Sequence, residues 1–171
     1  MEQASVVRAA VVVALAALLE AVIGPYLTFD FFSPKLTLIA VVFAASQLRD
    51  LQAVLLGFFG GILLDALGSD LFGVGALGGL LAGTLAARAG AVRRKGTERL
   101  VLAQAVGLVV AAYDVMGLTA RSLAGLGVPA LGEYAVGGVL PDAVLNALLA
   151  YLVGGWLLKT VSTKPRSWEG K

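Results

Sequence analysis

The chain has 171 residues, of which 59% are hydrophobic and 14% charged, and its mean hydropathy is +0.92. A soluble domain is about 45–50% apolar and about 25% charged, so this composition describes a multi-pass, all-α membrane protein in one domain. Cysteine and histidine are both absent, which excludes disulfides and His- or thiolate-ligated metals and removes the commonest general base; a net charge of +2 implies no nucleic-acid partner.

Six apolar runs follow in chain order. Helix 1 is predicted over about 6–23. Arg8 ahead of an apolar core imitates a signal peptide, but no cleavage site precedes the break at Gly24-Pro25, so the run is read as a span. Tyr26, Phe29, Phe31 and Phe32 then form an aromatic belt. Helix 2 covers about 34–48, with Pro34 suited to the first helical position. It is short for a span, which predicts a thinned or partly buried path. Helix 3 covers about 51–67 and helix 4 about 71–92, with Ser69 or Asp70 able to cap helix 4. A basic loop, Arg93 to Arg99, leads to helix 5 over about 100–120. Gly125, Gly127 and Pro129 mark the next loop, and helix 6 covers about 134–158 before a basic tail.

Six spans place both termini on one side. Eleven of the thirteen Lys and Arg then fall on that side, leaving only Lys35 and Arg121 opposite. The positive-inside rule makes the eleven-cation side cytoplasmic. The basic loop and tail would lie beside anionic lipid or a cytoplasmic protein, or serve only as topology signals.

The acids sort the other way, toward the outer half. Asp114 and Asp142 are the deepest, about 11 Å from their helix ends at 1.5 Å per residue. Arg121 shares a face with Asp114, and Asn146 shares one with Asp142. Acids at such depth face a bundle interior or a cavity. Asp114, Asp142 and Asn146 are therefore candidate buried polar groups, either internal hydrogen-bond partners or a cation or proton site.

The oddest stretch lies at helices 3 and 4. Gly57, Gly61 and Asp65 are four apart, and after the turn Gly75, Gly79 and Gly83 repeat that spacing. Each helix thus carries a side-chain-free groove that lets backbones approach closely in lipid. The grooves are candidates for helix packing, a partner interface or homo-oligomerisation. Asp65 sits where the helix dipole disfavours an anion. Reaching the free N–H groups at the start of helix 4 would account for it, as would a partner contact or an ion.

Gly61 four before Asp65, Gly73 eight after it, and Ala76-Leu77 beyond resemble the signature of MreD, the bacterial rod shape-determining membrane protein family, which reads G-x-x-x-D, Ser-Gly, L-G-x-x-A-L. Pro34-Lys35-Leu36, Arg49 and Gly57 also resemble that family, and the similarity runs over about residues 34–83. Gly68-Ser69 reverses the usual Ser-Gly, and Lys35 replaces the usual acid. The resemblance implies a non-enzymatic scaffold without cofactor in the bacterial inner membrane, within the machinery that builds the lateral peptidoglycan wall. Its implied partner is the single-pass protein MreC, and indirectly the MreB filament, the RodA glycosyltransferase and a class B transpeptidase. It also implies a fold similar to the S components of energy-coupling-factor vitamin transporters. Such an S component is the alternative function, and it would need a polar outer pocket.

Overall fold

A computed structural model describes residues 2–28, 32–68, 71–92, 96–127 and 134–161. These form six α-helices: α1 (Glu2–Leu27), α2 (Leu36–Ala45), α3 (Asp50–Leu67), α4 (Val74–Val92), α5 (Glu98–Leu123) and α6 (Leu140–Val161). A π-helical turn, Ala135–Val139, leads into α6. Five helices are long and apolar enough to cross a membrane. The exception is α2, one of the six expected spans, which the sequence already marked as short and thinned or partly buried.

At ten residues α2 is about 15 Å long, half the hydrocarbon thickness. Its sequence, LTLIAVVFAA, is apolar all round, and nine of its ten residues are buried. A helix without a polar face belongs in a core, and α2 touches each of the other five. Phe43 is fully buried and lies against α6 at Gly154, where a Cβ would strike its ring. Gly60 marks the meeting of α1, α2 and α3, with Val13 and Val41 both against it.

Several boundaries differ from the sequence reading, each for a local reason. The chain does not break at Gly24-Pro25, because Pro25 lies inside α1. So close to the helix end a proline removes one backbone bond without stopping the helix, and Thr28 Oγ1 donates to the Gly24 carbonyl at 2.8 Å. Pro34 is not the first residue of α2. The N–H groups of Ser33 and Lys35 are held by α6 side chains, which keeps 33–35 out of the helix. At the other end of α2, Gln47 and Leu48 donate to Ala44 and Ala45 in tight turns.

The start of α4 is Val74 rather than residue 71. Gly73 has φ +106°, a conformation a helix cannot contain. Beyond residue 120, α5 runs on to Leu123 and stops at Gly125, whose φ is +72°. The Leu126 N–H donates to Arg121 O and the Gly125 N–H to Ser122 O, a Schellman closure. Ser69, Asp70, Phe29, Phe31, Asp30, Pro129, Glu133, residues 93–95 and the tail lie outside the described residues.

The glycine stripes of α3 and α4 face each other. A Cβ on Gly61 would land on the Gly75 carbonyl oxygen, and one on Gly57 or Gly79 on the other's carbonyl oxygen. One on Gly83 would land on the Ala53 carbonyl oxygen. Lipid offers no hydrophobic drive between helices, so close backbone approach and its dispersion contacts hold such a pair together.

Candidate functional site

Helix direction gathers the acids Glu20, Asp65, Asp114 and Asp142 at one end of the bundle and Arg8, Arg49, Arg88, Arg99 and Lys159 at the other. At the acidic end three polar knots form, all of them on the backbone of a helix start.

The first knot is Asp65. It sits at the end of α3 and is buried, with 8% exposure. Oδ1 accepts from the Gly75 N–H at 2.7 Å; Oδ2 accepts from the Gly73 and Ala76 N–H groups, each at 2.9 Å. The carboxylate is the N-terminal cap of α4, supplied by the preceding helix. A charged acceptor at a helix N-terminus answers both the orphan donors and the dipole. Gly75 allows this approach, since a Cβ there would stand 2.5 Å from Oδ1.

The second knot joins α6 to the segment before α2. Asp142 Oδ1 accepts from the Ser33 N–H at 2.7 Å. Asn146 Oδ1 accepts from the Lys35 N–H at 2.8 Å, and its Nδ2 donates to Ser33 O at 3.1 Å. Nδ2 also donates to Asp142 O and Oδ1. Asn146 is fully buried, and its amide reads the 33–35 backbone as a neighbouring strand would. The third knot is Glu20, in the apolar run of α1, whose Oε2 accepts from the Thr37 N–H at 2.7 Å in the first turn of α2.

Asp114 stands apart from these knots, although the sequence grouped it with Asp142. It lines a cavity of about 260 Å³ with Lys35, Tyr113, Arg121 and Tyr134. A larger neighbouring cavity, about 580 Å³, is lined by Glu20, Ser33, Lys35, Asp65 and Tyr113 among others. Lys35 and Tyr113 belong to both, and Lys35 Nζ lies 5.1 Å from the Tyr113 ring centroid. This cation–π pair is the wall between the cavities. Tyr113 itself fits against α4 at Gly78, where a Cβ would collide with its ring.

Of the residues singled out in the sequence, Gly57, Gly61, Gly75, Gly79 and Gly83 are thus brought into one α3–α4 contact, and Asp65 and Gly73 into the turn at its end. Asp142 and Asn146 meet each other and Ser33, while Asp114 lies with Arg121. Sequence reasoning missed Glu20 as a cap and Lys35 and Tyr113 as a dividing wall. The one signal for Glu20 was a lone charge among fourteen apolar residues over 9–23, which says it has a partner without saying where. No group of three or more His, Cys, Asp and Glu able to hold a metal occurs among the described residues.

A family model described as rod shape-determining protein MreD matches residues 3–162. No curated protein and no solved structure matches the chain.

Proposed function

Since the chain belongs to the MreD family of rod shape-determining proteins, we propose that it is a non-enzymatic scaffold of the bacterial inner membrane that holds the single transmembrane helix of an MreC-like partner. Through that partner it would organise MreB filaments, RodA and a class B transpeptidase during lateral wall synthesis. Both termini would be cytoplasmic, as the cation split requires, and the whole chain would act as one domain.

The observation that carries the docking reading is the outer face of α1. That helix packs inward through Ala9, Val13 and Ala17 and leaves Val7, Val11, Leu15, Leu18 and Val22 more than half exposed. Their spacing of four, four, three and four puts them on one side. The glycine grooves of α3 and α4, which the sequence also offered to a partner, already cover each other. This directs the partner helix to α1. A photo-crosslinking residue at Leu15 should capture the partner, whereas one at Leu108, equally exposed on α5, should not. Capture at Leu108 alone would move the interface, and normal cell width after deletion in a rod-shaped host would end the scaffold reading.

A second reading, the vitamin-binding S component, is favoured by one feature: the 260 Å³ cavity with Lys35, Asp114 and Arg121 in its lining. Stoichiometric vitamin on the purified protein, or a thermal shift with one, would select it over the scaffold.

A further inference from the structure

We propose that the basic end of the bundle carries a site for the headgroup of an anionic glycerophospholipid, between the start of α5 and the end of α6. A cavity of about 660 Å³ lies there, lined by Thr97, Glu98, Arg99, Tyr151, Gly155 and Lys159 among others. The Arg99 guanidinium lies against α6 at Gly155, where a Cβ would come within 2.6 Å of Nη2. Gly155 is one turn deeper along α6 than Lys159, about 6 Å.

An arginine near a membrane surface normally extends toward water. This one turns along the neighbouring helix to Gly155, one turn inward of Lys159. Among the described residues neither Arg99 nor Lys159 has a carboxylate within ion-pair distance. Glu98 is on the rim, in the first turn of α5, where the helix dipole favours an anion. A planar guanidinium and an ammonium at adjacent levels present a fork and a point charge to one phosphate. In the sequence, residues 93–99 and 159–166 hold seven Lys and Arg and one acid.

The surroundings select a lipid over a soluble anion. Leu148, Tyr151, Gly155 and Lys159 share one face of α6, and Leu148 and Tyr151 are exposed below the charges. A diacyl chain would lie along that apolar track while its phosphate met Arg99 and Lys159. Basic pockets between membrane helices recognise anionic headgroups in this way. The lipid site does not depend on which partner α1 holds.

The test uses the full chain in nanodiscs of phosphatidylcholine with or without phosphatidylglycerol, reading melting temperature and lipid retained in native mass spectra. Phosphatidylglycerol should raise the melting temperature. Arg99→Gln and Lys159→Gln should each lower phosphatidylglycerol retention at least threefold. Gly155→Ala keeps every charge but displaces the guanidinium, and it should lower retention as much. Arg88→Gln, removing an exposed cation on α4, should change nothing. Melting in pure phosphatidylcholine reports whether each variant folds, and Gly155→Ala decides the matter if a charge variant does not. Wild-type retention by Gly155→Ala and the folded charge variants, or equal loss in Arg88→Gln, would overturn the site. Equal stabilisation by free glycerol 3-phosphate would overturn the lipid as its occupant.

Discussion

Replacing Asp65 separates two kinds of cap. The Asp65 carboxylate uses both oxygens, one for the Gly75 N–H and one shared by the Gly73 and Ala76 N–H groups. Asp65→Leu leaves three donors without a partner. An orphaned buried donor costs about 1–3 kcal/mol, and two of these three are only half-buried, so the sum is about 3–6 kcal/mol. Asp65→Asn keeps one acceptor oxygen. Placed at Oδ2 it retains two bonds, but its NH2 then faces the Gly75 N–H, donor against donor. One lost bond of that kind costs about 1–3 kcal/mol. The expected order is wild type, then Asn, then Leu, with Asn clearly impaired. Thermal melting of purified protein in one detergent, with expression level alongside, measures it. Asn matching wild type would show that one oxygen suffices; Leu no worse than Asn would show that the α4 donors find other partners and that this account of the cap is wrong.

Gly61→Leu and Gly79→Leu should abolish folding or lower the melting temperature strongly, because in each case the added side chain begins on a backbone carbonyl of the other helix. Gly127→Leu, with open space around it, should be mild; Gly96→Leu is a poorer control, since φ +94° alone strains a side chain by about 1–2 kcal/mol. Asn146→Leu should destabilise by about 2–4 kcal/mol by orphaning the Lys35 N–H and the Ser33 carbonyl, and an unchanged melting temperature would exclude that knot as a structural element. Cysteine at Thr97 should resist an impermeant thiol reagent in intact cells and cysteine at Ser122 should react; the reverse would invert the topology.

Hydrophobic run length was enough to find all six helices, because each apolar run is bounded by glycine, proline or charge. It marked helix 2 as short for a span and thinned or partly buried, but did not tell a thinned crossing from a helix inside the bundle. That distinction lies in what surrounds α2, and the surroundings come from five other segments. The α3–α4 groove was legible because glycines four apart can serve only one face. The second knot was half legible: the spacing of Asp142 and Asn146 put them together, but nothing local names Ser33 and Lys35, over a hundred residues away. Lone polar residues in apolar runs announce that a partner exists. The partners here are backbone N–H groups, which every residue carries, so no sequence pattern distinguishes them.

The short central helix bears on how the chain is made. Helices enter the membrane in order of synthesis, and a segment of ten residues cannot span it alone. The N-terminal N–H groups of α2 and its lead-in are satisfied by Glu20, translated earlier, and by Asp142 and Asn146, translated last. Until α6 emerges, the Ser33 and Lys35 N–H groups lack the side chains that hold them in the finished bundle. The bundle therefore closes only when its final helix docks beside the second. A chain stopped before residue 140 would be left with an open centre rather than a smaller stable bundle, and would be a substrate for membrane proteolysis.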